Sequence, residues 1–347
     1  MPYAWGSENL IQDLTGLGSE GEPAAELWFG SHPASPSKLI GSEGSLQEIR
    51  PNLGFLVKFL AAAKPLSIQA HPTKERAKQQ FALGNESYAD ANHKPEMIIA
   101  VTEFEALCGF RPLVEIEADL KAVETKSPVF AELRRAYQAT GLEGAVRYSL
   151  DHNLAKELTD AITSLSRSRV QLFQNLSEHF PGDVGLVVAV LFMNHVRLAP
   201  GEALFLPAGN IHAYLKGLGV EVMASSDNVL RGGLTPKRID ISELMQVLDF
   251  SPLADPKVRT KELLTGLTHY PADVEDFSVY RVDVSAANML IDLELKGDMI
   301  VVCTSGELEI STSTEEYQKL KRGQAAFVGD ANLFSVNGSG TGYLAMG

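Results

Sequence analysis

Four side chains in three short segments have types and spacing that suit metal binding. Gln69 and His71 stand two residues apart, so in a strand both would project from the same face. Glu96 supplies a carboxylate, and His212 follows directly on a turn rich in Pro and Gly. Two imidazoles, a carboxylate and an amide predict a metal site with a position left for a substrate.

Each of these signals is stronger in combination than alone. A Gln-x-His pair is common, and a lone histidine is more often structural. Glu96 opens the apolar run Met97–Ile99, which predicts a strand entering a core, and a carboxylate there needs a metal or a lysine because burying it unpaired is costly. The spacing G-x5-P-x-G-x2-H from Gly201 to His212 resembles the second cupin motif.

The pattern along the chain predicts the elements that position these side chains. Residues 1–110 are rich in turns and predict strands with long connections. Residues 112–194 have apolar residues at helical spacing and predict four or five helical segments. Strands and turns return over 195–235, Ile241–Leu248 predicts a short helix, and the pattern from 258 onward is all-β.

The spacing around His212 has an echo near the C terminus. Gly323, Gly329 and Phe334 have the same offsets as Gly201, Pro207 and His212, with Gly in place of Pro and Phe in place of His. A short strand, a tight turn and a return strand that carries a ligand form a hairpin typical of a jelly-roll barrel. We therefore predict a mixed, mainly β fold with two cupin-type jelly-roll barrels and an inserted α-helical domain, in which the second barrel is degenerate.

This fold implies three domains. We expect a discontinuous metal-binding barrel over residues 1–111 and 195–257, a helical insert over 112–194, and the degenerate barrel over 258–347. The apolar run at 53–63 fits a strand or a short helix by pattern alone, and the strand is favoured.

Composition excludes several classes of protein. A formal net charge of −14 argues against nucleic-acid binding, while a small anion would need only a local basic pocket. Cys108 and Cys303 lie far apart, which argues against a disulfide framework or a cysteine zinc site. The N terminus lacks a signal-peptide pattern, and the apolar stretch Val184–Met193 is too short to span a bilayer. We expect a cytoplasmic protein that binds no membrane and is a monomer or a weak homo-oligomer.

Several longer strings resemble those of type I mannose-6-phosphate isomerases, also called phosphomannose isomerases. The matching segments are Tyr3–Ser7, Ala25–Pro33, Pro65–Pro72, His93–Glu96 and Gly209–Lys237. The last segment is long and highly specific, and the resemblance extends over essentially the whole chain.

The resemblance implies a zinc-dependent enzyme, with one Zn²⁺ per chain, that interconverts mannose 6-phosphate and fructose 6-phosphate. It places the zinc ligands at Gln69, His71, Glu96 and His212, and an essential arginine at Arg231. It also implies further residues that line the substrate pocket: Lys58, Ser67, Lys94, Tyr214, Glu221, Asp227 and Lys237.

An aldose–ketose isomerase moves a proton between C1 and C2 through an enediol(ate), so it needs a base and a stabiliser of oxyanion charge. The candidate bases are Lys94, Glu221 and Asp227, of which the first two are favoured. Arg231 fits a charge stabiliser because a guanidinium stays protonated. Ser67 and Lys237 are candidates for the phosphate of the sugar.

Two other functions compete with this hypothesis. A cupin Fe(II) oxygenase would use two histidines and a carboxylate, but Gln69 and the basic loop from Arg231 to Lys237 argue against it. A non-catalytic sugar-phosphate sensor on the same scaffold would differ by lacking turnover.

Overall fold

A computed structural model describes residues 1–17, 21–285, 291–294, 297–313, 317–329 and 333–347. These residues form two mainly antiparallel sheets and a group of helices between two strands of the first sheet. The predicted mainly β architecture is confirmed. Among the described residues, no helix is both long and apolar enough to cross a membrane.

The first sheet contains the strands of the N-terminal part and those that follow the helices. They are β1 (Pro2–Ser7), β2 (Glu26–Phe29), β3 (Phe55–Ala62), β4 (Ile68–Ala70), β5 (Glu96–Ala100), β6 (Phe104–Phe110), β7 (Met193–Leu198), β8 (Ala203–Leu206), β9 (His212–Ala224) and β10 (Leu230–Gly233). The 53–63 run is therefore a strand. Helices α1 (Leu10–Thr15), α2 (Leu46–Ile49), α3 (Lys74–Ala82) and α9 (Ile241–Val247) flank this sheet.

The second sheet contains the strands after residue 258. They are β11 (Lys261–Leu264), β12 (Leu267–Tyr270), β13 (Ser278–Val284), β14 (Ile291–Glu294), β15 (Met299–Thr312), β16 (Tyr317–Lys321), β17 (Ala325–Val328) and β18 (Leu333–Met346). Apolar side chains such as Val301, Leu308 and Phe334 are buried against one another, so this part of the chain has its own hydrophobic core.

Helices occupy the stretch between β6 and β7, as the apolar spacing predicts. They are α4 (Leu113–Glu124), α5 (Val129–His152), α6 (Ala155–Ala161), a 3₁₀ turn (Ile162–Ser164), α7 (Arg167–His179), α8 (Gly185–Val187) and a π-helical turn (Val188–Phe192). Helix α5 is broken inside, because Thr140 and Gly141 leave helical geometry and Gly141 has a φ of +68°.

The predicted hairpin between β8 and β9 is wrong. Strand β8 pairs with β5, whereas β9 pairs with β3, β4, β5 and β6. The Pro/Gly turn therefore does not place β9 beside β8 as a hairpin partner. The C-terminal echo behaves similarly, since β17 pairs with β15 and not with β18. Asp330 and Ala331 of that echo lie outside the described residues.

Strand β3 separates two cores because both of its faces are buried. Phe55, Val57 and Phe59 pack against the second sheet, together with Ile300 and Val302. The alternate residues, including Leu60, face the interior of the first sheet. Lys58 shares that interior face, which brings a charged side chain into a largely apolar space.

Candidate active site

The longest strand of the first sheet supplies side chains to the interior from both of its halves. Strand β9 has 13 residues, and its first half pairs with β4 and β6 while its second half pairs with β3 and β5. Between the halves, Gly217 has a φ of +123°, which favours glycine. This local change shifts the inward-facing positions, so that Tyr214 and Glu221 both face the interior and form a hydrogen bond of 2.9 Å.

Three of the predicted ligands meet in this interior. Among the described residues, His71, Glu96 and His212 form a buried cluster whose ligand atoms all lie within 4.8 Å of one another. His71 Nε2 lies 3.3 Å from one carboxylate oxygen of Glu96, and His212 Nε2 lies 3.4 Å from the other. His71 directly follows β4, and Glu96 and His212 are the first residues of β5 and β9, so the cluster depends on the packing of three strands.

Both imidazoles, those of His71 and His212, direct their Nε2 nitrogens at Glu96. The Nδ1 of His71 lies 2.6 Å from the carbonyl oxygen of Asn228, and the Nδ1 of His212 lies 3.1 Å from that of Asn210. A carbonyl accepts only, so each Nδ1 carries the proton and each Nε2 presents a lone pair.

Lone pairs of imidazole and carboxylate face each other here without a hydrogen between them. Nε2 of His71 and Oε2 of Glu96 are buried atoms without a hydrogen-bond partner. Burial lowers the pKa of His71, which keeps the imidazole neutral. Orphaned acceptors that converge in a buried site fit a divalent cation, which satisfies all of them at once.

Gln69 and Lys94 border this cluster. The side-chain amide of Gln69 lies 3.2 Å from His212 Nε2, and the two residues are register partners between β4 and β9. A half-turn of the amide presents its oxygen to the cluster instead of its nitrogen. Lys94 Nζ lies 3.3 Å from Glu96. Burial alone would raise the pKa of Glu96, but the neighbouring positive charge of Lys94 opposes it, and that pKa lies well below its ordinary range.

A second polar cluster lies in the same interior. Lys58 Nζ lies 3.2 Å from Glu221 and 3.7 Å from Glu26, with the Trp28 ring centroid 5.0 Å away. Trp28 Nε1 donates a hydrogen bond of 2.9 Å to Glu26. Burial alone would lower the pKa of Lys58, but the two carboxylates outweigh it and raise that pKa. These contacts favour the charged ammonium.

For the pKa of Glu221, in contrast, burial outweighs the effect of the neighbouring opposite charge. Burial raises its pKa above the ordinary value, Lys58 acts in the other direction, and the charge of Glu96 raises it further. Burial and Glu221 also raise the pKa of Tyr214, so the phenol stays protonated and donates to the carboxylate. A buried carboxyl whose pKa is moved toward neutrality suits proton transfer near pH 7.

The basic loop after β10 is held by the helical region. Arg231 pairs in register with Gln69, so its strand adjoins a cluster residue. Asp183, which precedes α8, accepts the backbone N–H groups of Leu234 at 2.6 Å and Thr235 at 3.1 Å. Gly185 allows the close approach, because a Cβ there would lie 2.7 Å from the backbone nitrogen of Leu234. The helical region thus fixes the backbone position of the basic loop from Arg231 to Lys237.

The remaining predicted residues lie nearer the surface. Asp227 has a side chain that is 57% exposed and lies 3.2 Å from His32, and Lys237 is exposed. Ser67 is half-buried, directly before β4. Arg231 lines a cavity of about 530 Å³ together with Arg238, Asp227 and others. The structure therefore gathers the predicted ligands in the interior and leaves Asp227 and Lys237 outside it.

Several residues of the site carry no recognisable signal in the sequence. Glu26, Asn210 and Asn228 each contact a predicted residue across a long stretch of chain or through a backbone carbonyl. The Asn228 carbonyl, for example, meets a histidine 157 positions away. Trp28 and Asp183 likewise belong to the site without a motif of their own in the sequence. The signal available was a place inside a family-like segment, which holds for Glu26, Trp28, Asn210 and Asn228 but not for Asp183.

The fold and the site together define a mainly β protein of the cupin class with a buried cluster suited to a metal ion. A model of the catalytic domain of type I phosphomannose isomerase matches residues 1–113. The chain is 35% identical to mannose-6-phosphate isomerase from Salmonella typhimurium, covering 99% of this chain and 96% of that protein. It is 34% identical to the Bos taurus protein of the same name, covering 94% and 91%.

Solved structures agree with the sequence comparisons. The crystal structure of a mutant of phosphomannose isomerase from Salmonella typhimurium superposes with a TM-score of 0.92 at 33% identity, covering 100% of this chain and 97% of that one. The chain belongs to the type I phosphomannose isomerase family, and it is an enzyme of the isomerase class.

Proposed function

We propose that this enzyme interconverts mannose 6-phosphate and fructose 6-phosphate, and that it holds one zinc ion through Gln69, His71, Glu96 and His212. The observation that carries the metal assignment is the set of orphaned, buried acceptor atoms on His71 and Glu96. Relatives that span nearly the whole chain are named mannose-6-phosphate isomerase, which supports the substrate. Zinc is favoured because imidazole and carboxylate ligands suit it and it has no redox chemistry.

When bound, zinc would act as a Lewis acid that polarises an oxygen at C1 or C2 of the sugar. One carboxylate among three neutral ligands leaves about one net positive charge at such a site. The protein must then position the sugar, move one proton between C1 and C2, and keep water from competing.

We assign the proton transfer to Glu221. Its carboxylate takes the proton from one carbon and returns it to the other, while Lys58 and Tyr214 hold its two oxygens in place. Lys94 is less suited, because its Nζ already pairs with the Glu96 carboxylate at 3.3 Å. Asp227 is exposed, so it is better placed to meet the polar end of the substrate.

Arg231 stabilises negative charge on the sugar, and Ser67 and Lys237 contact its phosphate in this proposal. A guanidinium stays charged throughout the reaction, and its strand is fastened to that of Gln69. Binding the phosphate at the rim holds the reacting carbons near the interior, which converts binding energy into positioning.

A coupled assay with mannose 6-phosphate tests this function. We expect turnover that is lost after chelation and restored by Zn²⁺. Activity that survives complete metal removal would contradict the metal assignment, and oxygen uptake by an iron-loaded sample without isomerisation would support an oxygenase instead. Deuterium incorporation from D₂O into the product tests the proton transfer, and we expect Glu221→Gln to abolish it while Lys94→Met retains it.

A further inference from the structure

Asn228 joins two of the three clustered ligands although it touches no substrate position itself. Its backbone carbonyl oxygen accepts from His71 Nδ1 at 2.6 Å. Its side chain is fully buried and lies against the segment 89–92, which runs directly into Lys94 and Glu96. Asn228 thus contacts both His71 and the segment that leads into Glu96.

The side-chain amide of Asn228 uses all of its hydrogen-bonding capacity on that segment. Oδ1 accepts from the backbone nitrogens of Ala89 at 2.8 Å and Asp90 at 3.3 Å. Nδ2 donates to the carbonyl oxygens of Asp90 at 2.9 Å and Asn92 at 2.8 Å, and to the Asp90 carboxylate at 3.1 Å. No aliphatic side chain could replace this pattern, because it needs both a donor and an acceptor.

Neighbouring contacts hold the backbone of Asn228 itself. The Ser226 hydroxyl accepts from the Asn228 N–H at 3.2 Å and lies 2.9 Å from the Asp90 carboxylate, to which it donates. Asp90 also accepts from the backbone nitrogen of Asp227 at 2.8 Å. The carbonyl that orients His71 therefore has its position set by the same network that holds the 89–92 segment.

We infer that Asn228 is a positioning residue that couples His71 to Glu96 and so sets the affinity of the site for its metal. This inference rests on the metal assignment proposed above. The physical reason is preorganisation: two ligands held at a fixed separation before binding lose little freedom when the ion arrives. Loss of the amide releases the segment before Glu96 and lets the carbonyl behind His71 move.

Asn194 offers a matched control. Its side-chain Nδ2 also ties several backbone carbonyls together, those of Cys108, Gly109, Phe110 and Leu253. None of these four contacts involves His71 or the segment before Glu96. Asn194→Ala should therefore cost a comparable amount of folding stability without changing how those two ligands are held.

The experiment measures Zn²⁺ affinity of the full chain by competition with a chromophoric chelator, beside thermal unfolding of the metal-free protein. We expect Asn228→Ala to weaken Zn²⁺ binding by about 10–100-fold, and Asn194→Ala to leave it within about threefold of the unsubstituted protein. Asn228→Ser, which is smaller and keeps a hydroxyl, serves where Asn228→Ala does not fold, and we expect the same direction.

Wild-type affinity in both Asn228 variants would overturn the inference. An equal loss in Asn194→Ala would also overturn it, because general loosening would then explain the effect. Failure of the unsubstituted protein to bind Zn²⁺ is a separate result, since it removes the metal assignment itself and the inference with it.

Discussion

Tyr214 and Glu221 lie seven positions apart on one strand, yet the phenol donates a 2.9 Å hydrogen bond to the carboxylate. In a regular strand, side chains at that separation would point to opposite faces about 23 Å apart along the chain. The contact exists because strand β9 changes direction at Gly217 and passes from one half of the sheet to the other. The contact therefore depends on the irregular backbone of β9 between Tyr214 and Gly217.

Gly217→Ala should destabilise the protein and disturb the site. The φ of +123° is unfavourable for any L side chain, and a Cβ there would lie 2.5 Å from the carbonyl oxygen of Glu103. We expect the free energy of unfolding to fall by roughly 1–3 kcal/mol or more, measured by chemical denaturation. Lys216→Ala, at the exposed neighbouring position, is the control. An unchanged denaturation midpoint in Gly217→Ala would contradict this account of β9.

Lys58→Met should move the acid limb of the kcat/KM–pH profile to higher pH. Burial raises the pKa of Glu221 and Lys58 lowers it, so removing the ammonium raises it further and the carboxylate forms only at higher pH. Lys216→Met is a control with the same change of side chain on an exposed position. A profile that does not move would argue against Glu221 as the group that transfers the proton.

The same shift has a consequence for stability. The folded pKa of Glu221 lies above its ordinary value of 4.5, so its contribution is fully present below pH 4.5 and is lost as the pH rises through the raised pKa. The loss should extend to higher pH in Lys58→Met, as measured by urea unfolding across a pH series against the Lys216→Met protein.

Arg231→Ala should lower kcat far more than it raises KM. Arg231 adjoins the ligand strand, while Arg238 lines the same cavity from an exposed position. Loss of a preorganised charge that acts on the transition state typically costs about 10²–10³ in kcat. Steady-state kinetics on both variants would separate the roles, with only a small effect expected for Arg238→Ala. A pure KM effect for Arg231→Ala would remove its proposed catalytic role.

Asp183→Ala should damage the site from the helical region. It leaves the N–H groups of Leu234 and Thr235 without their acceptor, and Leu234 already has a φ of +53°. We expect a loss of roughly 1–3 kcal/mol in unfolding free energy for the lost buried partner and a fall in kcat/KM, because the loop after Arg231 loosens. Asp160→Ala, on an exposed helix face, should change neither quantity. Normal kinetics in Asp183→Ala would show that the helices do not set this loop.

His212→Ala should lose the metal. Its Nε2 is one of the atoms that converge on Glu96, and a cluster with one imidazole fewer holds a cation much more weakly. Elemental analysis of the purified protein gives zinc per chain. His195→Ala replaces a partly buried histidine that pairs with Glu105 instead, so it should keep its zinc. Full occupancy in His212→Ala would take this residue out of the ligand set.

Local pattern was a good guide to the elements and a poor guide to their neighbours. Helical spacing over 112–194 correctly indicated the helices, and the continuous apolar run Met97–Ile99 correctly indicated strand β5. The hairpin expected at the Pro/Gly turn before His212 was wrong, because β8 pairs with β5. A turn determines where the chain bends, but the partner of a strand depends on which apolar faces meet across the whole sheet.

The sequence by itself determined which side chains could bind a metal, that the chain would be mainly β with helices between strands, and which family it joins. These follow from residue types and short spacings, which local chemistry dictates. Only the tertiary structure decided that Lys58 and Glu26 would surround Glu221, that Asp183 would hold the arginine loop, and that Asn228 would face His71. Those contacts join residues from 32 positions apart (Glu26 and Lys58) to 163 positions apart (Lys58 and Glu221). Such pairs meet only after the strands have packed, and each buried charge then needs a partner.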